Sequence, residues 1–300
     1  MPGTKKLLLI GGMPLLLLGS WFLPGWLGFL LTIALAKGLV VLGLLLLMRA
    51  GLVSFGQGLY YCLGAYTVGA LGQYLETSNV LLLLPAALTA GLGVATLLGL
   101  LICRYRDIFF AMLSMAFSMI LYGVLVKTMT FGSSDGFNVA PPSLFGWAPA
   151  NDNGPLLTLW LALIITFIAA LFVWRYLRSP MGYAAEAVRE NEIRVEYLGR
   201  SVQRIIYTKY LLAAGHIDPE MAYWTTSGEF VFIALVGGTS HVAAPLLGAI
   251  LFELLRTYAF EISPYTWQMI LGISLLGIIL FLPQGVWSLV ERYQARLKSS

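Results

Sequence analysis

Long apolar runs succeed one another along most of the chain, at 7–23, 27–48, 52–75, 80–102, 108–126, 156–174, 241–259 and 265–282. Two shorter runs lie at 205–214 and 229–236. About 20 apolar residues in a helix cross the hydrocarbon of a bilayer. In lipid an open strand leaves its backbone groups unsatisfied, so such runs must be helices. Composition agrees: 59% of residues are hydrophobic and 11% charged, where soluble domains carry roughly 25% charged. The mean hydropathy is +0.85. The expected fold class is an all-α polytopic membrane protein, one transmembrane domain over 1–300. About eight transmembrane helices are expected, with discontinuous or re-entrant segments near 51–60 and 205–237.

Basic residues set the expected orientation. Lys5 and Lys6 precede the first run, and Arg49 follows the second. Arg104 and Arg106 follow the fourth, Arg175 and Arg178 the sixth, and Arg292, Arg296 and Lys298 close the chain. Each group falls where an even number of crossings from a cytoplasmic N-terminus places it. The turns 24–26 and 76–79 carry no Lys or Arg. Both termini are therefore expected in the cytoplasm, with loop 127–155 periplasmic and loop 175–204 cytoplasmic. No small-x-small cleavage site follows the first run, which meets Trp21, Pro24 and Trp26 instead, so it is expected to be retained. The expected location is a bacterial inner membrane.

Enzyme chemistry finds no support. The cysteines, Cys62 and Cys103, and the histidines, His216 and His241, are scattered without ligand spacing, so no metal is expected. Ser240 beside His241 is adjacency, not a dyad. No G-x-x-x-x-G-K-[ST] phosphate loop occurs, and no cofactor or catalytic residue is expected. The net charge of +4 is spread over short loops and is no nucleic-acid surface. An ion-coupled secondary transporter of small zwitterions is the alternative. It needs a buried acid or base, and of Glu76, Glu229, Glu253 and Glu261 most are expected near helix ends.

Two segments carry more information. Segment 51–71, GLVSFGQGLYYCLGAYTVGAL, opens with Ser54, Gly56, Gln57 and Gly58 at the depth of a membrane run. A broken helix there is tolerated where its backbone faces protein or a water-filled cavity, as along a pathway. An interfacial loop before a helix at Leu59 explains it equally. Segment 180–198 reads as one amphipathic helix. Ser179 caps it, Pro180 takes its first position and Gly199 its end. Met181, Ala184, Val188, Asn191, Val195 and Leu198 fall on one face, with Glu186, Arg189, Glu190 and Arg194 around them. Such a helix lies on a membrane surface or docks on a partner.

Segment 51–66 resembles the corresponding stretch of branched-chain amino acid ABC importer permeases. RYRDIFFAMLSMAF at 104–117 is similar to the family's basic turn and following helix. GSSDGFNVAPP at 132–142 is similar to its outer loop. SPMGYAAEAVRENEIRVEYLG at 179–199 resembles its cytoplasmic loop, in the version carried by the M-type membrane subunit. The resemblance runs from about Ala36 to Pro283. It implies an ABC importer permease bundle that forms a path for branched-chain amino acids or similar small polar solutes. It also implies a second permease subunit in a heterodimer, two ATPase subunits and a periplasmic solute-binding protein. Under it Ser54, Gln57, Tyr60, Tyr61 and Tyr66 are candidate pathway residues. Glu186, Arg189, Glu190 and Asn191 are candidate ATPase-coupling residues. One departure stands out: after Lys209, TKYLLAA runs directly into GHIDPEMAYWTTSGEF, with roughly a span of family sequence missing. Residues 205–214 cover only about 15 Å as a helix. The stretch 205–227 is therefore expected to break, with a helix ending near Ala214 and another from about Thr226 to Val236. A bundle shortened in this way lacks one wall, which bears on transport itself.

Overall fold

Helix α1, Gly25–Met48, is the axis of the protein. Its 24 residues reach about 36 Å. Leu42, Leu44, Leu45, Leu46 and Leu47 are all at most 1% exposed, so its C-terminal half is covered on every side rather than along one stripe. The computed structural model describes residues 23–75, 77–128, 154–197, 201–213 and 223–299, with Gly19, Trp21, Ser143 and Gly199. The expected first span at 7–23 falls almost wholly outside the described residues, as does most of loop 127–155.

The remaining helices follow in chain order: α2 Gln57–Tyr74, α3 Val80–Ile102, α4 Asp107–Lys127, α5 Gly154–Leu177, α6 Pro180–Glu190 and α7 Glu192–Tyr197. Then come α8 Val202–Ala213, α9 Trp224–Gly237, α10 Ala244–Ile262, α11 Trp267–Phe281 and α12 Trp287–Ser299. Around α1 pack α5, α8, α9 and α10. Helices α3, α4 and α5 are outer helices. Leu97, Ile108, Phe109 and Ile168 stand 60–71% exposed on them, as side chains bathed in lipid do. Among the described residues four helices, α1, α3, α4 and α5, are long and apolar enough to cross a bilayer by themselves.

The described helices give the bundle two ends. At one end lie Arg49, Arg106, α6, α7 and α12; the α10–α11 turn around Tyr265 lies at the other. Helix α8 starts at the basic end, where Val202, Ile205 and Ile206 pack with Ile102, Cys103 and Val188. Tyr223, just before α9, meets the Tyr122 ring at 5.2 Å, far along α4 from the basic end. Helix α9 then runs back to the basic end, where Thr239 and Ser240 offer their carbonyls to Arg49. The expected break in 205–227 is present at Tyr223, whose extended backbone (φ −70, ψ 142) precedes α9. Over their described residues α8 and α9 reach about 18 and 21 Å. They leave and return to the same end, as a re-entrant pair. The turn expected at 215–220 lies outside the described residues.

Two expectations are corrected. Segment 180–198 is not one helix. It breaks at Asn191, whose backbone is extended (φ −163, ψ 104) and whose Oδ1 accepts from the Arg194 N–H at 3.0 Å. An asparagine that caps the next helix competes with continuation of the first. Asn191 therefore leaves the apolar face and is exposed, while Ala185, Val188 and Val195 are buried. Ser179 does cap the first piece, accepting from the Gly182 N–H at 3.3 Å, and Gly199 takes a positive φ of 74° past the second. Ser143, in the loop expected to be periplasmic and so open to solvent, is only 6% exposed. Its N–H donates to the Ser78 carbonyl at 2.8 Å, and its carbonyl accepts from Val80 at 3.0 Å.

Candidate functional site

The apolar run expected from 52 becomes helical only at Gln57. Residues 52–56 enter the bundle as non-helical chain alongside α4, and the backbone donors of Phe55, Gly56 and Gly58 are met by side-chain hydroxyls. The Phe55 N–H donates to Ser114 Oγ at 3.2 Å, Gly56 N–H to Ser54 Oγ at 3.2 Å, and Gly58 N–H to Ser227 Oγ at 3.1 Å. Ser54, Ser114 and Ser227 are at most 1% exposed. A Cβ at Gly56 would stand 3.0 Å from that of Ser114, so a side chain here would crowd α4. Ser227 comes from the re-entrant α9, and so both interrupted segments meet at one place.

Gln57 stands at the first position of α2, only 1% exposed. Among the described residues neither atom of its amide has a hydrogen-bond partner. A buried amide without partners costs about 1–3 kcal/mol. That cost falls at the junction of two interrupted helices.

The five candidate pathway residues do not form one lining. All are buried, but the tyrosines diverge. Tyr60 turns to α8, where its hydroxyl donates to that of Tyr210 and Phe110 joins the cluster. Tyr61 packs edge-on against Phe230 at 5.5 Å. Tyr66 packs with Cys62 and Leu125. Consecutive positions on a helix point about 100° apart, so neighbouring tyrosines face different partners. Only Ser54 and Gln57 share the junction.

One feature of the interior escaped the sequence reading. Lys37, in the middle of α1 and 2% exposed, holds Glu229 Oε2 of α9 at 3.0 Å and Glu253 Oε1 of α10 at 2.6 Å. The contact to Glu253 is a close ion pair rather than a well-aimed hydrogen bond. Arg256 approaches the same two carboxylates at 3.8 and 4.0 Å. These two acids lie inside the bundle, whereas Glu261 falls at the end of α10. A lone Lys in run 27–48 and a lone Glu in run 241–259 were the available signal, since an ionised group inside a membrane bundle needs a partner.

At the basic end Arg49 is a junction. Its guanidinium donates to the Thr239 carbonyl at 3.0 Å, to the Ser240 carbonyl, and to Glu186 of α6 at 3.1 Å. Arg106 holds Glu192 of α7 at 3.1 Å. Of the four candidate coupling residues, Arg189, Glu190 and Asn191 border one open groove with Gly51 and Asp107. Glu186 sits apart, tied to Arg49. The Arg189 side chain lies against Gly51, the first residue of the non-helical entry to α2. Tyr183, Ile193 and Tyr197 on the same two helices are 61–88% exposed.

Residues 26–279 match the family described as the permease component of the branched-chain amino acid transport system. The chain belongs to this family. Among curated relatives, the chain is 30% identical to the high-affinity branched-chain amino acid transport system permease protein LivM of Escherichia coli K12. It is 29% identical to the protein of that name from Salmonella typhimurium LT2. In both cases 90% of this chain and 70% of the relative are covered. It is 21% identical to the probable branched-chain amino acid transport permease protein LivM of Methanocaldococcus jannaschii, over 79% of this chain and 86% of the relative. No solved structure matches the chain. The two enterobacterial alignments run over 307 residues, longer than this entire 300-residue chain. Family members are transporters rather than enzymes, and this chain is a multi-pass membrane permease.

Proposed function

We propose that this chain is the M-type membrane subunit of an ATP-binding-cassette importer for branched-chain amino acids or similar small polar solutes. The observation that carries the reading is the unpartnered Gln57 amide, buried where the entry to α2 meets the re-entrant α9. Ser54 and Gln57 lie on the solute's path. Tyr60, Tyr61 and Tyr66 shape its walls by packing. In this reading the basic end faces the cytoplasm of a bacterial inner membrane, where positive charge accumulates. A second permease subunit completes the pathway, two ATPase subunits dock on the α6–α7 face, and a periplasmic binding protein delivers the solute.

Glu186, Arg189, Glu190 and Asn191 couple the ATPases to the path. The groove bordered by Arg189, Glu190 and Asn191 supports this, because it includes Gly51 at the start of the α2 entry. Movement of α6 would be felt both there and, through Glu186 and Arg49, at the end of α9. ATP binding then shifts the bundle between two states. The test is uptake into proteoliposomes with and without the ATPase subunits. Uphill uptake of leucine only with ATPases and ATP is expected. Uphill uptake by this subunit alone under an ion gradient overturns the importer reading and favours a secondary transporter.

A further inference from the structure

The Lys37 cluster has a closed side and an open side. Lys37 and Glu253 are 2% and 5% exposed, whereas the side chains of Arg256 and Glu229 are 39% and 26% exposed. Two carboxylates and two cations leave the group neutral overall, but the contacts are unevenly shared. Lys37 takes both close ones. Among the described residues the Arg256 guanidinium makes no polar contact closer than 3.8 Å, and it rests over the Trp267 ring at 5.4 Å. Every polar contact of Glu229 falls on Oε2. Five N–H donors and one carboxylate oxygen are thus presented side by side and underused.

Lipid cannot answer that edge. A guanidinium or carboxylate turned to hydrocarbon is strongly disfavoured, and such groups in membrane proteins face a cavity or a partner. By helical rise Arg256 lies about 9 Å short of the outer end of α10, within the bundle's length. Phe232 stands one turn along α9 from Glu229 and is 44% exposed on the same side. The open edge therefore combines a cation, an anion and an apolar wall.

We propose that the Arg256–Glu229 edge is a binding site for a free α-amino acid with an apolar side chain. Arg256 takes the α-carboxylate through its fork of donors, Glu229 takes the α-ammonium on Oε1, and Phe232 borders the side chain. Lys37, paired with Glu253 on the closed side, is a positioning residue that holds Glu229 through Oε2. This inference rests on the importer reading. It extends it by naming the groups on the solute that are recognised.

The test is ATP-driven uptake by the assembled complex in proteoliposomes. The solutes are leucine, leucinamide, which lacks the carboxylate, and 4-methylpentanoate, which lacks the ammonium. Arg256→Gln is expected to raise the KM for leucine about ten-fold or more and to abolish the preference for leucine over leucinamide, because a bidentate contact has gone. The preference over 4-methylpentanoate should survive in that variant. Glu229→Gln should give the opposite pattern. Arg256→Lys should keep the preference for a carboxylate with a raised KM, and it decides the matter if Arg256→Gln does not assemble. Equal losses for all three solutes, or unchanged preferences in both variants, overturn the site and leave the importer reading standing. If the wild-type complex carries no amino acid, both readings fall.

Discussion

Lys37 shows how much one side chain can organise. A buried ion pair is costly to assemble, and removing one member is costlier still, typically about 3–5 kcal/mol, because the other charge is left alone. Lys37→Met should therefore lower the thermal stability of the detergent-solubilised protein sharply, read by loss of a monodisperse gel-filtration peak after heating. Adding Glu253→Gln should recover part of the loss, since Glu253 is the more deeply buried of the two carboxylates. Gln57 presents the reverse case. Its amide is buried without partners, so Gln57→Leu, which keeps the volume, should leave stability unchanged or raise it by about 1 kcal/mol. The same variant should reduce solute uptake at least several-fold. A stable Gln57→Leu protein with full uptake would place the solute elsewhere.

At the level of elements, the break at Asn191 turns one expected helix into two, each tied to a different part of the bundle. Helix α6 reaches α1 and α9 through Glu186 and Arg49, and α7 reaches the start of α4 through Glu192 and Arg106. Both bridges are partly exposed, with Glu186 49% and Glu192 43% exposed, so each contributes about 1 kcal/mol or less to stability. Their use is geometric. Glu190→Lys, which touches no bridge, should weaken ATPase stimulation while membrane insertion and melting stay as in the wild type. Glu186→Arg should lower stimulation too, and Arg49→Glu with Glu186→Arg should restore part of it by re-forming the pair in reverse. Full stimulation in both Glu190→Lys and Glu186→Arg would leave α6 as a helix resting on the membrane surface.

For the whole molecule, orientation is the property to measure. The two ends of the bundle differ in charge and in what they expose, and Tyr265, in the α10–α11 turn, is 98% exposed at the end away from Arg49. A cysteine at Tyr265 should react with a membrane-impermeant thiol reagent in intact spheroplasts. The native Cys62 and Cys103 are buried and give little background. Labelling only after lysis would invert the topology. Ser143 is a poor reporter despite its place in the outer loop, because it is pinned between Ser78 and Val80.

The sequence by itself determined that this is a helical membrane protein, roughly where its long helices lie, and that 51–56 and 205–227 interrupt them. Those features are local. Hydrophobic length, a Ser-Pro start and glycines act through the residues beside them in the chain. It also carried the family resemblance, in short runs such as 179–199. Tertiary structure alone decided what the interruptions meet. Ser227 reaches the N–H of Gly58 across 169 positions, and Lys37 reaches Glu229 across 192. No periodicity along a helix encodes such a pairing. The three tyrosines fared the same way: their residue types were legible, but the helical turn sent them to three neighbours that only the packed bundle could supply. Asn191 lost its place on the apolar face because its side chain caps the next helix. Helical spacing alone could not weigh that local bond against continuation of the turn.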